Sequence, residues 1–333
     1  MKRYTRAVAK KGLATSFAFC LAVGAAAAQA ASLEQVGSVE MDGVHGRIDH
    51  FAYDASQQRL FMAALGNDTV EAIDVAALKR LKTLTGEKEP QGMRYLSRDK
   101  KLVVAEGAGG SVDFFDGDNL KLIKRLSGYD DADNVRIDPK SNEAIVGWGS
   151  GALTWFSPAG AVMAATKLPA HPESFQFSPS RRRVYVNVPG AGKVCVVDAD
   201  SHKLTESWPL KAGANYPMAI DESGGFLFVA CRQPATILVL KMDDGKEIGR
   251  VSTDGDADDI FYDPDTRLMY ESCGAGFIDV FQHDGHGGLK RIESIATAGG
   301  ARTSYYVPEL HRLFLAVPHR GKQRCEVRVF KTM

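Results

Sequence analysis

The stretch "RLFMAALGNDTVEAIDVAALKRL" (residues 59–81) contains two short apolar runs separated by a turn-forming segment, and a charged run follows them. Runs of this length that are bounded by Gly, Asn and Asp are typical of β-strands. The first run recurs roughly every 41 residues. Its copies are "RLFMAAL" (59), "KLVVAEG" (101), "EAIVGWG" (143), "RVYVNVP" (183), "FLFVACR" (226), "RLMYESC" (267) and "RLFLAVP" (312).

Each copy has similar neighbours in the sequence. A strand-like segment that ends at a turn-forming residue precedes it, as in "HFAYD", "VRIDP" and "IFYDP", and a second strand such as "KVCVVDA" follows it. The first six units also have a charged fourth segment, such as "LKRLKTL". A single four-stranded sheet cannot bury both of its faces, so seven such units predict an all-β, seven-bladed β-propeller with four antiparallel strands per blade.

The seventh unit ends at "VRVFKTM" and lacks its fourth strand. The segment "LEQVGSVEM" (residues 33–41) resembles the missing piece, which predicts that the amino-terminal strand completes the last blade. Ring closure would hide sheet edges that could otherwise pair with other chains. We therefore expect residues 31–333 to form one propeller domain.

Residues 1–30 have the pattern of a secretory signal peptide. Five basic residues and no acid precede an apolar run over residues 13–28, and "AQA" ends at Ala30. A membrane anchor is the alternative, but the run is short and rich in Ala and Gly. We expect cleavage after Ala30, no membrane insertion after cleavage, and a location in the periplasm or outside the cell.

Removing these five basic residues leaves 36 basic against 41 acidic residues. A mildly acidic protein is a poor partner for nucleic acid or for an anionic membrane surface. The expected partners are therefore a small molecule or a periplasmic protein. A closed propeller also needs no second subunit in order to fold, so a monomer is expected.

Four cysteines remain after the predicted cleavage: Cys195, Cys231, Cys273 and Cys325. An oxidising compartment permits disulfides, but the spacing shows no CxxC pair or compact framework, and packing roles are equally compatible with it. Cys231 and Cys273 occupy nearly the same phase of adjacent units, which is too distant for a disulfide.

The fourth unit, "RVYVNVPGAGKVCVVDADSHKL" (183–204), resembles the YVTN-type propeller repeat, and "NDTVEAIDV" of the first unit is similar to the second half of that repeat. The third and sixth units, with "WGSGALTWF" and "SCGAGFIDVF", depart from it because they lack the Asn. The resemblance implies the propeller fold. It does not select a function, since such propellers serve as binding modules, scaffolds and enzymes.

Five residues before each strand-ending turn, the chain reaches the predicted mouth of the central channel. The residues at this position are Asp49, Gly92, Asp133, Glu173, Tyr216, Asp258 and Arg302. Turns between the second and third strands end on the same face, so these positions predict a pocket. The predicted ligand-binding residues are Arg47, Asp49, His50, Asp133, Glu173, Tyr216, Asp258, Arg302 and His319.

Asp133, Asn134 and Glu173 are the candidate metal ligands, because neighbouring blades would bring them together. Oxygen ligands of this kind suit Ca²⁺ or Mg²⁺. The nearby His171 would instead favour Zn²⁺ or another transition metal. Solvated loop acids are the alternative interpretation. Around Arg302, the flanking aspartates favour a salt-bridge network.

Two other motifs have weaker support as sites. "HDGHGG" (283–288) resembles a metal-binding tract but falls at a predicted hairpin turn on the opposite face. "DGDADD" (254–259) lacks the residue spacing of a calcium loop.

Two functions follow from this pattern. The first is a non-catalytic periplasmic propeller that binds a small ligand, a metal ion or a protein at its acidic mouth. The second is a metal-dependent hydrolase or lyase similar to sugar lactonases, with His50 or His171 as acid–base. Those enzymes usually have six blades, whereas seven units are counted here. An electron-transfer accessory role suits the compartment but has no residue that supports it.

Overall fold

Seven antiparallel sheets of four strands each form the ring that the repeats predict. The computed structural model describes residues 1–3, 5, 7 and 32–333, and residues 32–333 make up one structural unit. The predicted signal peptide therefore lies almost entirely outside the described residues. Among the residues that are described, no helix has the length and apolarity needed to cross a membrane.

The strands of the seven blades follow one another in chain order. β1 (Leu33–Glu40) precedes blade one. Blades one and two consist of β2 (Phe51–Asp54), β3 (Arg59–Ala64), β4 (Thr69–Asp74), β5 (Lys79–Thr85), β6 (Pro90–Leu96), β7 (Lys101–Glu106), β8 (Ser111–Asp116) and β9 (Leu122–Ser127). Blades three and four consist of β10 (Val135–Ile137), β11 (Ala144–Trp148), β12 (Ala152–Phe156), β13 (Val162–Lys167), β14 (Phe175–Ser178), β15 (Arg183–Val188), β16 (Lys193–Asp198) and β17 (Lys203–Pro209).

The remaining strands complete the ring, and three short 3₁₀ turns connect strands. Blades five and six consist of β18 (Gly213–Asp221), β19 (Phe226–Gln233), β20 (Ala235–Lys241), β21 (Glu247–Ser252), β22 (Ala257–Asp263), β23 (Leu268–Cys273), β24 (Phe277–His283) and β25 (Leu289–Ala296). Blade seven contains β26 (Thr303–Val307), β27 (Arg312–Val317) and β28 (Glu326–Thr332). The 3₁₀ turns span Leu65–Asn67, Pro189–Ala191 and Pro308–Leu310.

Strand β1 supplies the fourth strand of blade seven, in the order β1-β28-β27-β26. It pairs antiparallel with β28, from Leu33 opposite Thr332 to Glu40 opposite Glu326. The predicted closure by the amino-terminal strand is therefore confirmed. Blade seven therefore combines strands from both ends of the described unit, and this pairing closes the ring.

The turn after each innermost strand explains why a short polar residue recurs there. In blade one the Asp54 carboxylate accepts hydrogen bonds from the backbone N–H of Ser56, at 3.0 Å, and from the Arg59 guanidinium, at 2.7 Å. Asp263 accepts one from the N–H of Asp265, also at 3.0 Å. Such Asx turns stabilise the chain reversal without help from a second element.

The hydrophobic core lies between blades, where the faces of successive sheets meet. Phe61 and Val70 of blade one pack with Met93 and Leu102 of blade two, and all four are buried. The junction of blades seven and one is built in the same way. Each blade therefore needs both neighbours to bury its two faces.

Cys195, Cys231, Cys273 and Cys325 are free thiols, and all four are buried in the described part of the chain. They pack within and beside the inter-blade clusters, as Cys195 and Cys231 do in blades four and five.

Candidate functional site

A polar cavity of about 340 Å³ lies at one mouth of the central channel. Its walls come from the start of the innermost strands and from the loops that precede them. The lining residues are Arg47, Asp49, His50, Gln91, Asp131, Asp133, Asn134, His171, Glu173, Ser174, Tyr216, Arg232, Asp258 and Arg302. Eight of the nine residues predicted as ligand-binding are therefore brought together here, and His319 is the exception.

Equivalent backbone hydrogen bonds give the ring residues equivalent positions. The N–H of Asp49 donates to Ala63, that of Asp133 to Gly147 and that of Glu173 to Asn187, at 2.8–2.9 Å. Each of these bonds attaches the residue to the second strand of its own blade, just outside the innermost strand. The repeat therefore places three carboxylates at the same height around one axis.

Blade two breaks the acid ring with Gly92, and packing explains why. A Cβ at this position would lie 2.0 Å from the carbonyl oxygen of Asp133 and 2.8 Å from the Cα of Asn134. A side chain at residue 92 would therefore push the backbone of Asp133 away. The missing carboxylate in blade two allows the next blade to approach closely.

Blades one, three and four form what we call the acidic half of the mouth, defined by Asp49, His50, Asp133, His171 and Glu173. One ligand atom from each of Asp133, His171 and Glu173 lies within 4.8 Å of the other two. Asp133 is 7% exposed, and it contacts His171 (Nε2–Oδ2 3.8 Å) and His50 (Nε2–Oδ1 3.7 Å).

The ring of His171 is oriented by the backbone. Its Nδ1 lies 2.7 Å from the carbonyl oxygen of Gly149, so Nδ1 donates its hydrogen there. The other ring nitrogen, Nε2, faces the Asp133 carboxylate. One ring nitrogen is therefore held by a carbonyl, and the other faces a carboxylate. Metal-binding histidines have this second-shell arrangement.

Two buried oxygens of this half have no hydrogen-bond partner among residues 32–333. They are Oδ1 of Asp133 and Oδ1 of Asn134, and Asn134 is only 2% exposed. A buried oxygen without a donor costs free energy comparable to a lost hydrogen bond. Both residues line the cavity, so a bound cation is one way in which such oxygens could be satisfied.

The acidic half also holds protons more tightly than isolated side chains do. Burial raises the pKa of Glu173 to about 8, and the charge of Asp133 adds to this effect. Burial, together with Asp133, raises the pKa of Asp49 well above its usual range. Burial lowers the pKa of His171, but Asp133, the Gly149 carbonyl and Asp131 outweigh that effect and raise this pKa to about 9.

Blades five, six and seven form the paired half of the mouth, defined by Arg232, Asp256, Asp258 and Arg302. Arg302 binds Asp256 (Nη1–Oδ1 2.7 Å) and Asp258 (Nε–Oδ2 2.9 Å). Arg232 binds the same two aspartates, at 3.3 and 2.5 Å, and its guanidinium stacks 4.1 Å from the centre of the Tyr216 ring. The salt-bridge network expected around Arg302 is present.

Sequence reasoning missed two members of this network. They are Arg232 and Asp256, and neither is among the residues predicted for the site. Asp256 lies within "DGDADD", in a loop outside the repeated strand phase. Its place outside the repeated positions left no repeat-based signal that could have identified it.

Asp259 lines a small cavity next to the mouth, and His50 lines both cavities. Its carboxylate accepts a hydrogen bond from the N–H of Ser304 at 2.8 Å and lies 3.9 Å from Nδ1 of His50. Burial raises the pKa of Asp259 to about 7, and the charge of Asp258 also contributes to the increase. His50 therefore lies between Asp259 on one side and Asp49 and Asp133 on the other.

His319 lines a separate cavity of about 260 Å³, which corrects its predicted place at the mouth. This cavity shares Arg47 and Arg302 with the mouth and adds Arg320. His319 packs edge-on against His45, with ring centres 4.9 Å apart. The loop between β27 and β28, residues 318–325, is longer than its counterparts in the other six blades, so the position of His319 does not follow from the repeat.

Arg47 reaches the mouth and also pairs with Asp49, with Nη2 3.1 Å from Oδ2. The "HDGHGG" tract forms the predicted hairpin between β24 and β25, where His283 is buried against Phe226 and Phe228.

Comparisons with known proteins support the fold and nothing finer. No family model matches the chain, and no curated protein matches it. The fold is similar to a chain in a solved structure described as "Crystal Structure of Mitotic Checkpoint Complex", with a TM-score of 0.77 and 12% identity over 98% of this chain and 99% of that chain. At this identity the likeness shows the propeller fold alone, and membership of the YVTN-type family stays a prediction.

Proposed function

We propose that this protein is an exported ligand-binding propeller whose acidic half binds a divalent transition-metal ion. The main support is His171, because its Nδ1–H donates to Gly149 while Nε2 faces the carboxylate of Asp133. A ligand atom of Glu173 lies within 4.8 Å of both residues. One imidazole and two carboxylates would be the protein ligands, and Asn134 lines the same cavity.

This donor set favours Zn²⁺ or Mn²⁺ over the Ca²⁺ or Mg²⁺ expected from oxygen ligands alone. Ca²⁺ takes six to eight oxygen donors, and Mg²⁺ keeps several waters, so neither gains much from an imidazole. Borderline transition metals bind mixed nitrogen and oxygen donors. Three protein ligands would leave further coordination positions open to the cavity.

The second part of the proposal is that the bound molecule is a small anion. Arg47 and Arg302 line both the mouth and the neighbouring cavity, and Arg320 adds a third guanidinium there. No carboxylate of residues 32–333 pairs with Arg320 within 4 Å. A carboxylate or phosphate ligand could therefore bind a metal at one end and these arginines at the other.

Isothermal titration of the purified protein with Zn²⁺, Mn²⁺, Ca²⁺ and Mg²⁺ tests the metal site. We expect Zn²⁺ or Mn²⁺ to bind, and His171→Ala to weaken binding by about 100-fold. His286→Ala, in the exposed hairpin of blade six, is the matched control and should bind as the wild type does. Binding of Ca²⁺ that His171→Ala leaves unchanged would point to an oxygen-only site, and no binding at all would refute the proposal.

The alternative function is that of a metal-dependent hydrolase or lyase, and the position of His50 supports it. Nε2 of His50 lies 3.7 Å from Asp133 at the cavity wall, where it could move a proton to or from a bound molecule. Metal-loaded protein should then hydrolyse some members of a lactone and ester panel. His50→Gln should lower turnover much more than it lowers metal affinity. Metal binding without turnover would support the binding function and contradict the enzymatic one.

The proposal also includes export, which the pattern of residues 1–30 supports. Cell fractionation, with amino-terminal sequencing of the recovered protein, should find a chain that begins at Ala31 outside the cytoplasm. An intact amino terminus in the cytoplasmic fraction would contradict it.

A further inference from the structure

A second cluster of buried metal-binding side chains lies in blade six, within the sheet and apart from the mouth cavity. Glu271 and Cys273 belong to β23, and Asp279 belongs to β24, directly opposite Glu271. One ligand atom from each lies within 4.8 Å of the other two. All three residues are completely buried.

The charges of this cluster are poorly satisfied by the protein. Neither carboxylate oxygen of Glu271 has a hydrogen-bond partner within the described chain, and Oδ1 of Asp279 has none there either. Oδ2 of Asp279 does receive hydrogen bonds, from the N–H of Asp254 at 2.8 Å and from Arg291 at 2.9 Å. The arginine that reaches the cluster therefore serves Asp279 and leaves Glu271 without a partner. Burying a carboxylate in this way is unfavourable.

Blade two offers an internal comparison, because it contains a similar group of buried acids. Arg125 binds Asp113 at 2.5 Å and Glu87 at 3.5 Å, and the backbone N–H of Lys88 donates to Glu106. The protein's own donors thus reach each acid of blade two, although Oε1 of Glu106 has no hydrogen-bond partner within the described chain. Blade six differs in two respects: Glu271 lacks a donor, and a thiol takes the place of one carboxylate.

We propose that Glu271, Cys273 and Asp279 bind a thiophilic divalent cation of the Zn²⁺ class inside blade six. A thiolate with two carboxylates selects a borderline or soft cation and disfavours Ca²⁺ and Mg²⁺. Binding displaces the proton of the Cys273 thiol and any proton on Glu271 into solvent, while the cation takes their place.

Because all three ligands are buried, an ion reaches this site less easily than it reaches the mouth. A cation here has no open path, so it enters as the blade folds and then exchanges slowly. Because it binds only the folded chain, it adds to the free energy of unfolding. This proposal does not depend on the proposed metal at the mouth.

The experiment uses protein produced in cobalt-supplemented medium, since Co²⁺ replaces Zn²⁺ and reports thiolate ligands by absorption. A variant with Asp133→Asn and His171→Ala removes the mouth ligands, so any remaining ion belongs elsewhere. We expect about one equivalent of Co²⁺ per chain in this background. We also expect the intense near-ultraviolet band of thiolate-to-Co²⁺ charge transfer.

Adding Cys273→Ser should abolish the charge-transfer band. Cys195→Ser is the matched control, because Cys195 is also a buried free thiol but lies in blade four. It should leave the band unchanged. Glu271→Gln keeps the shape of the side chain and should reduce the retained Co²⁺ at least 10-fold, which provides a test if Cys273→Ser does not fold.

The proposal is overturned if the folded mouth-disabled protein retains no Co²⁺, or if it retains Co²⁺ without a thiolate band. It is also overturned if Cys195→Ser and Cys273→Ser weaken the band equally. Failure of the mouth proposal would instead appear as equal metal content in the wild type and the mouth-disabled variant.

Discussion

The two halves of the channel mouth are built at the same level of the same repeat, yet they treat charge differently. In the paired half, two arginines bind two aspartates, with contacts of 2.5–3.3 Å. In the acidic half, within residues 32–333, Asp49 and Asp133 have only histidines and the half-exposed Arg47 as ion-pair partners, and Glu173 has none within 4 Å. The comparison teaches that the repeat supplies positions, and that local partners decide whether a carboxylate is structural or free to bind a ligand.

Asp133→Asn should produce the largest effect, because it removes a central ligand of the acidic half. We expect about a 100-fold loss of Zn²⁺ affinity by titration calorimetry. A loss of stability together with unchanged Zn²⁺ affinity would show that Asp133 is a structural residue.

Gly92→Ala tests whether close packing positions the acidic half. The new Cβ would lie 2.0 Å from the Asp133 carbonyl, so the backbone must shift. We expect the free energy of unfolding to fall by about 1–3 kcal/mol. Zn²⁺ affinity should also fall, by about 10-fold, as Asp133 moves.

Gly255→Ala is the control for this substitution, because nothing lies within 4 Å of a Cβ there. It should change neither quantity appreciably. If both substitutions reduced Zn²⁺ affinity equally, the packing explanation for Gly92 would be wrong.

Glu106→Gln adds a third case to the comparison of the two halves. Here a buried carboxyl group keeps its proton instead of binding an arginine or a ligand. Burial and the contact with Glu87 raise the pKa of Glu106 from 4.5 to about 9. Between these values the folded state keeps a proton that the unfolded state has released, so the wild type loses stability as pH rises. Below the lower value both states are protonated, and this contribution does not change with pH.

Glu106→Gln should flatten this slope and raise the free energy of unfolding at pH 9 by about 1–2 kcal/mol relative to the wild type. Urea unfolding over a pH series measures it. Glu34→Gln, on the exposed side of β1, should keep the wild-type slope. Identical slopes in wild type and Glu106→Gln would mean that Glu106 is charged in the folded protein.

Asp258→Asn should produce the smallest effect, on stability rather than on metal binding. Arg232 and Arg302 would retain Asp256 but lose their second partner. We expect the free energy of unfolding to fall by about 1 kcal/mol, because these side chains are partly exposed. Zn²⁺ affinity should change far less than in Asp133→Asn, and an equally large loss would abolish the distinction between the halves.

Much of the site was predictable because the repeat converts sequence phase into position around the ring. Counting from the strand-ending turn placed Asp49, Asp133, Glu173, Asp258 and Arg302 correctly at one mouth. His319 was misplaced because its phase falls in a hairpin of different length, and loops of unequal length have no common register. Arg232 and Asp256 were hard to pair for the same reason.

Blade number, strand order and closure by residues 33–40 are local properties repeated along the chain, so the sequence determined them by itself. Alternating apolar residues and turn formers specify each strand whatever its neighbours do. The partner of each charge was decided only by the tertiary structure. Asp133 and Asp258 occupy the same repeat position, but Asp133 has two histidines as neighbours and Asp258 has two arginines. Interactions between side chains distant in sequence depend on distances of a few ångströms, which a repeat pattern cannot specify.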